Sequence, residues 1–250
     1  MKTKKICRTF VTSAVVGLLM LGPALAADKP PAAPAVPLTK ATLETIEKLP
    51  LIFDGKTLDG WIQFHRNATN GIPGWVVKDG AMASTGADRG IIYTAKDYGH
   101  FRLLFNMRHL SGNHQAAVLF FGTRSQAGEK PLDALAGIQF QVPNGGHWDY
   151  RPGHNNKGGS EFTSPAKTRF DPKEWSQVEI LVDAAKGTAR MAVAQPVGTK
   201  AIENHSFKLP EAGKVGPIGW QIHNANLFDE YKDVRMEVNP TDDRLLTVEP

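Results

Sequence analysis

Alternation of apolar and polar residues runs through much of the chain and predicts β-strands. In FRLLFNMRHL (101–110), nearly every second residue is apolar, as in a strand with one buried face. Arg108 belongs to the polar face, and Leu104 is the apolar exception on it. GIQFQV (137–142) alternates in the same way, so Gln139 and Gln141 should share one polar side.

Shorter stretches with strand character recur between turns rich in glycine and proline. Ala184–Gly187 has the composition of a hairpin tip, and Thr39–Lys48 is the clearest helical pattern. Many short strands and almost no helical periodicity predict an all-β, antiparallel β-sandwich. The other predicted strands are 61–65, 75–78, 81–84, 91–93, 116–122, 177–183, 218–223 and 231–238.

The first residues have the pattern of a secretory signal. A basic start is followed by an apolar run and the A-x-A sequence Ala24-Leu25-Ala26, which predicts a signal peptide over 1–26 and export to the periplasm or the extracellular space. The run is too short to span a bilayer, so no membrane insertion is expected after cleavage. A Pro/Ala-rich linker is predicted over 27–38, and a single β-sandwich domain over 39–250.

Removing the signal changes the charge balance. Four of the 29 basic residues lie in it, so the mature chain carries 25 basic and 25 acidic residues. This balance gives no electrostatic reason to expect a nucleic acid or an anionic membrane as partner. The one cysteine, Cys7, is also in the signal, which excludes a disulfide framework and thiol chemistry.

The stretch GGHWDYRPGHNNKGG (145–159) is dense in chemically useful side chains. His147 and Asp149 would point the same way in an extended segment, and His154 could complete a site for a divalent metal ion. Sugar contact is the stronger hypothesis, because aromatic rings stack on pyranoses and charged groups hold hydroxyls. The residues for that role are Trp148, Tyr150, Asp149 and Arg151. A third interpretation is a solvated connecting loop.

Several motifs together resemble a known secreted family. LIFDGKTLDGW (51–61) is followed by GWVVKDGAM, by Tyr98-Gly-x-Phe, by EW-x-x-VEI at 174–180 and by GPIGWQIH near the end. Their order and spacing over 51–238 resemble the 3-keto-disaccharide hydrolase domains, formerly a domain of unknown function. The resemblance implies a concanavalin A-like jelly roll that cleaves glycosides already oxidised at C3.

That reaction needs no ordinary pair of glycosidase carboxylates. A C3 ketone acidifies the C2 proton, so a base can remove it, an enolate forms, and the C1 substituent leaves by elimination. The site then needs a base and an oxyanion stabiliser, for which a divalent metal is one candidate. No cofactor follows with certainty from the sequence.

The sequence departs from the family at several polar positions. A strand that usually reads Glu-x-Gln reads Gln139-Phe140-Gln141 here, and an amide cannot act as a base. Gln115 stands where the family often has Asn, and Phe121 stands where it often has a strand-end Arg. Arg108, in contrast, matches the family. Either the catalytic groups lie at other positions in this chain, or the domain still binds sugar but no longer catalyses the reaction.

His223 matches the family's Gln-x-His pattern at a strand end, with Gln221 two residues before it. His223, His147 and Asp149 are the predicted catalytic residues, with one histidine as the base. The predicted sugar-binding residues are Gln139, Gln141, Gln221, Arg108, Trp148, Tyr150 and Arg151. The leading hypothesis is a 3-keto-glycoside hydrolase or lyase acting on carbohydrate. The alternatives are a non-catalytic carbohydrate-binding module and an envelope interaction domain of the same fold.

Overall fold

The strands predicted from alternation assemble into two facing sheets. A computed structural model of the chain describes residues 35–66, 70–111, 116–124, 132–144 and 170–248, and the backbone of 147–150 and 160–163. The predicted signal peptide and most of the predicted linker lie outside these residues. None of the helices in the described part is long and apolar enough to cross a membrane.

The first sheet, called the front sheet here, has the strand order β1-β4-β13-β6-β7-β8-β9. Every pairing in it is antiparallel. Its strands are β1 (Trp61–His65), β4 (Gly90–Thr94), β6 (Ala116–Phe120), β7 (Ile138–Val142), β8 (His147–Tyr150), β9 (Ser160–Thr163) and β13 (Gly219–Ile222).

The second sheet, called the back sheet, has the order β12-β11-β10-β5-β14-β3-β2 and is also antiparallel. Its strands are β2 (Trp75–Lys78), β3 (Ala81–Ser84), β5 (His100–Ser111), β10 (Ser176–Asp183), β11 (Thr188–Ala194), β12 (Ile202–Lys208) and β14 (Phe228–Val238). A short 3-10 helix, Pro210–Ala212, follows β12.

The core fills the space between the sheets, as the alternation predicts. Phe105 of the back sheet, with Phe140 and Trp220 of the front sheet, belongs to one buried cluster, and each is at most 1% exposed. At roughly 25 cal/mol per Å² of apolar surface removed from water, such aromatic burial is the main stabilising contribution. The antiparallel β-sandwich of the concanavalin A-like jelly-roll class is confirmed.

The outer face of the back sheet is covered by both ends of the described chain. Helix α1 (Lys40–Lys48), capped by the Thr39 hydroxyl, buries Ile46 against Leu104. This contact explains Leu104, the apolar exception on a polar strand face. Leu38 is also buried there, and its N–H donates to the Gly198 carbonyl at 2.9 Å. Residues 35–38 therefore belong to the folded unit rather than to a linker.

Candidate functional site

The outer face of the front sheet carries the polar side chains of two central strands. In β7, Ile138 and Phe140 enter the core, so alternation turns Gln139 outward. In β13, Trp220 likewise enters the core and Gln221 faces outward. The two glutamines meet on that face, where Gln221 Nε2 donates to Gln139 Oε1 at 3.2 Å.

One row of cross-strand partners shows how this face changes character. Apolar or small residues occupy the row on β1, β4, β13 and β6, and polar residues occupy it on β7 and β8. In order, the row is Ile62, Tyr93, Gly219, Leu119, Gln139 and Asp149. Gln139 therefore lies where the apolar half of this row meets the polar half. Gln139, Gln221 and the residues bonded to them are called the polar cluster here.

The segment leading into β7 covers the apolar half. Leu135 packs against Ile91, Tyr93 and Leu119 on the outer face, and its carbonyl accepts from the Thr123 N–H at 2.8 Å. Its approach to β6 requires a glycine, because a Cβ at Gly137 would lie 2.3 Å from the Phe120 oxygen.

The same segment has an unusual backbone conformation. Ala136 adopts a positive φ of 57°, which costs a non-glycine residue on the order of 1 kcal/mol. The surrounding contacts hold the segment in this shape and place Asp133 on the sheet.

Asp133 is the buried carboxylate of the cluster, with its side chain 1% exposed. Its Oδ2 accepts from Gln221 Nε2 at 3.0 Å and lies 2.9 Å from His223 Nδ1. Its Oδ1 lies 2.7 Å from Arg89 Nε. That N–H does not point along the contact, so the pair is electrostatic rather than a directed hydrogen bond. A buried carboxylate requires such partners, because ionisation away from water is costly.

The partners of Asp133 reach towards solvent. The side chains of His223 and Arg89 are each 29% exposed. His223 follows β13, and Arg89 precedes β4, its pairing partner. The cluster thus joins a buried anion to a partly exposed imidazole and guanidinium. An imidazole oriented by a carboxylate can act as a general base or acid.

The structure brings together three of the sequence-predicted residues: Gln139, Gln221 and His223. The Nε2 of Gln221 is committed to Asp133 and Gln139, so Gln221 braces the cluster as well as facing the surface. Gln141 lies on the same face by alternation and is partly exposed. The roles of the glutamines in sugar binding and of His223 in catalysis stay predictions.

The stretch 147–150 is a strand rather than a connecting loop. Its register pairs Asp149 with Gln139, and cross-strand partners share a face of a sheet. Strand β8 is three strands from β13, about 14 Å at the usual spacing. The catalytic roles of His147 and Asp149 stay predictions.

The register also gives the cross-strand partners of the two aromatic residues beside Asp149. Trp148 pairs with Phe140 and Tyr150 with Ile138, both of which face the core. The sugar-binding roles of Trp148 and Tyr150 stay predictions.

Arg151 and His154 lie outside the described residues, and so do Gln115 and the rest of the predicted loop. In the described part of the chain, no three His, Cys, Asp or Glu side chains are grouped as a metal site would require. The described chain thus offers no ligand set, and the metal site of His147, Asp149 and His154 stays a prediction.

Arg108 does not join the cluster. It lies on the outer face of the back sheet, since its neighbours Met107 and Phe105 fill the core. Its guanidinium pairs with Glu230, with Nη2 2.6 Å from Oε2, and sits 4.7 Å from the centre of the Trp175 ring. The structure thus separates Arg108 from the glutamines, because β5 belongs to the opposite sheet, and its predicted sugar contact stays a prediction.

Sequence reasoning missed Asp133 and Arg89. A signal for Asp133 was present, since it is the one charge in the apolar stretch Leu132–Ala136. Charged residues are rarely buried unless they are paired, so an isolated acid in such a stretch indicates a buried ion pair. The partner, 44 positions earlier in the sequence, could not be identified without the sheet order.

Comparison with protein families identifies one match. The model of the 3-keto-alpha-glucoside-1,2-lyase-like domain matches residues 50–237, which include every residue of the polar cluster. A comparison with curated proteins finds no match to this chain.

Solved structures share the fold at low sequence identity. One is a "putative glycosyl hydrolase" from Parabacteroides distasonis ATCC 8503, with a TM-score of 0.54, 19% identity, 81% of this chain covered and 98% of the other. A second from the same organism, described in the same words, has a TM-score of 0.51, 13% identity and coverages of 76% and 99%. The exoplasmic/lumenal domain of VIP36, bound to Ca²⁺ and Man3GlcNAc, has a TM-score of 0.54 at 7% identity, with coverages of 78% and 94%. These similarities show the fold alone.

Proposed function

Because the chain belongs to the family of 3-keto-alpha-glucoside-1,2-lyase-like domains, we propose that it cleaves glycosides oxidised at C3, with His223 as the base. The observation that carries the proposal is the cluster of His223, Gln221 and Gln139 on the outer face of the front sheet, where Asp133 contacts both His223 and Gln221. The leader sequence supports action outside the cytoplasm.

The proposed reaction is an elimination across C1 and C2. The base takes the proton from C2, and the electrons of the C–H bond form an enolate with the C3 carbonyl. The enolate then collapses, the C1–O bond breaks, and the aglycone leaves with that oxygen and takes up a proton. The sugar is left as an unsaturated ketone, to which water can add afterwards.

Gln139 and Arg89 suit the developing charge on the C3 oxygen. The Gln139 amide nitrogen donates to none of the described residues, so it can donate to a sugar oxygen. Arg89 supplies the positive charge at the cluster. Fixed donors at the point where charge develops stabilise an oxyanion more than water does.

Residues on β8 would then contact the leaving group rather than the reacting carbon. Strand β8 is three strands from β13, about 14 Å at the usual strand spacing. We propose this role for His147 and Asp149. It is an alternative to their predicted part in proton transfer.

One incubation series tests the function. The protein is mixed with 3-keto-sucrose, 3-keto-lactose and the two unoxidised sugars, each with and without a chelator. We expect turnover of the keto forms only. Loss of that turnover with chelator would show that the reaction requires a metal ion. Cleavage of the unoxidised sugars would contradict the elimination, since they lack the ketone that acidifies C2.

Two histidine variants test the base. His223→Ala should lower turnover by about 10²–10⁴-fold, the usual contribution of a general base. His100→Ala is the matched control on the back sheet and should leave turnover unchanged. Full activity in His223→Ala would remove His223 from the mechanism.

A non-catalytic carbohydrate-binding module is the second candidate function. It is favoured by Gln139, an amide in place of a carboxylate, and by the burial of Asp133, the carboxylate of the described cluster. Saturable binding of sugar without any turnover in the same series would support it.

A further inference from the structure

We propose that Asp133, held by Arg89 and Gln221, is a positioning residue that fixes the tautomer of His223 and leaves Nε2 as its basic nitrogen. The inference rests on the proposed function and deepens it. Nothing in the sequence pattern or in the family match assigns a role to Asp133.

The contact between the two side chains determines where the proton lies. An ionised carboxylate only accepts hydrogen bonds, and Asp133 Oδ2 is 2.9 Å from His223 Nδ1. Nδ1 must therefore carry the hydrogen. In a neutral imidazole the lone pair is then on Nε2, the nitrogen on the far side of the ring from Asp133.

Burial decides which of the two groups meets a substrate. The Asp133 side chain is 1% exposed and His223 is 29% exposed. A C2 proton can approach the imidazole but not the buried carboxylate. Asp133 accordingly acts through His223 rather than on the sugar.

Arg89 and Gln221 keep Asp133 from moving with the imidazole. Arg89 Nε lies 2.7 Å from Oδ1 and forms an ion pair with it, while Oδ2 accepts hydrogen bonds. Gln221 Nε2 lies 3.0 Å from the Asp133 backbone oxygen and also 3.0 Å from Oδ2. Gln221 therefore attaches the segment that carries Asp133 to β13, two residues before His223. This attachment fixes the distance between the Asp133 carboxylate and the His223 imidazole.

The first test uses the unaltered protein. We expect ¹⁵N NMR of histidine-labelled chain, recorded at a pH where the imidazole is neutral, to show His223 with a protonated Nδ1 and an unprotonated Nε2. The resonance is assigned by its loss in His223→Gln. A protonated Nε2 and bare Nδ1 would overturn the proposal. This measurement does not depend on activity, so it still decides the question if the keto-sugar assay fails.

The second test is Asp133→Asn, which is isosteric. An asparagine can present its NH₂ group to Nδ1 and so favours the wrong tautomer, the reason that such a change costs a serine protease about 10⁴-fold. We expect kcat for a 3-keto-disaccharide to fall by roughly 10²–10⁴-fold with KM within about threefold, together with a shift of the His223 ¹⁵N signals. Unchanged kcat and unchanged signals would overturn the proposal.

Two further variants separate positioning from folding. Asp183→Asn, a change to a partly buried aspartate paired with Lys186 on the back sheet, should alter neither kcat nor the His223 signals. Arg89→Gln keeps Asp133 but removes its ion pair, and we expect broadened His223 signals with a smaller loss of kcat. If unaltered protein is inactive on every keto sugar while its NMR tautomer is as expected, the proposed function fails and the positioning role stands.

Discussion

The two outer faces of the sandwich each bury one carboxylate beside an arginine, yet the partners differ. On the front sheet, Asp133 contacts Arg89, Gln221 and His223, which are all side chains. On the back sheet, Glu179 is 0% exposed and lies 3.3 Å from Arg102.

The remaining partners of Glu179 come from the C-terminal segment. Its oxygens accept from the Leu246 and Thr247 N–H groups at 2.8 Å each, and from the Thr247 hydroxyl at 2.7 Å. Burial raises the pKa of Glu179, and these hydrogen bonds and Arg102 only partly offset it.

This difference shows how the same pair of residue types can serve structure or chemistry. Glu179 satisfies backbone N–H groups that would otherwise be buried without partners, so it attaches the chain end to β10. Asp133 satisfies side chains that reach solvent, one of which is titratable. A buried carboxylate that contacts backbone stabilises the fold, whereas one that contacts a partly exposed imidazole can orient a base.

The largest expected effect is on the back face. Glu179→Ala leaves Arg102 and two backbone N–H groups without this acceptor, so we expect a loss of about 3–5 kcal/mol in the free energy of unfolding. Turnover per folded molecule should be unchanged. Urea unfolding and keto-sugar assays measure the two quantities.

Glu203→Ala is the matched control for that change. Glu203 pairs with Arg190 on the same sheet but is 32% exposed, and exposed pairs contribute about 1 kcal/mol or less. If Glu179→Ala were no more destabilising than Glu203→Ala, the structural assignment of Glu179 would be wrong.

The next effect should appear on the front face when a second carboxylate is introduced. In Gln139→Glu, the new oxygen would compete with Asp133 for Gln221 Nε2, which lies 3.2 Å from residue 139. Two carboxylates sharing a site cannot both ionise easily. We expect Gln139→Glu to be destabilised by roughly 1–3 kcal/mol more at pH 8 than at pH 5.

Gln141→Glu tests whether that penalty is specific to the cluster. Residue 141 is on the same strand face but one row away and partly exposed. It should show no comparable dependence on pH in urea unfolding. Equal behaviour of the two variants would mean that Asp133 is not the source of the repulsion.

A smaller effect concerns the pH dependence of stability. Burial raises the pKa of Glu179 in the folded state above its ordinary value of 4.5, so the folded chain keeps a proton that the unfolded chain has released. Between the two pKa values, stability should fall as pH rises, by up to about 1.4 kcal/mol per pH unit.

Glu179→Gln lacks this ionisation. As the pH decreases towards 4.5, the unfolding free energy of the unaltered protein should therefore increase relative to that of the variant. Unfolding curves at half-unit pH steps measure the difference. A difference that is flat with pH would show that Glu179 does not titrate across this window.

Much of the fold followed from local pattern. The predicted strands 61–65, 75–78 and 81–84 coincide with β1, β2 and β3, because alternation is a local signal that tertiary contacts reinforce. Strand β12 was missed, since it is an edge strand with a register shift opposite Met191, and its buried residues include Asn204 and His205. Buried polar residues interrupt the expected pattern.

The site was less accessible to sequence reasoning. Strand-end position and alternation were enough to suggest Gln139, Gln221 and His223. Asp133 and Arg89 depend on sheet order, because β4 and the segment before β7 become neighbours of β13 only in the assembled sheet. Alternation also distinguishes inner from outer faces but cannot say which of two sheets a strand joins, which is why Arg108 was placed with the glutamines.

The smallest expected effect is that of Arg108→Gln, and it tests the separation of the two faces directly. Arg108 is 33% exposed and its partner Glu230 9%, so we expect a loss of about 1 kcal/mol or less in stability. Turnover of a 3-keto-disaccharide should stay within about twofold, because the side chain lies on the opposite side of the sandwich from His223. Arg89→Gln, the same chemical change on the front face, should lower turnover in a parallel assay. The opposite result is a large loss of turnover in Arg108→Gln and none in Arg89→Gln. It would mean that the catalytic arginine is Arg108 and that the active face belongs to the back sheet.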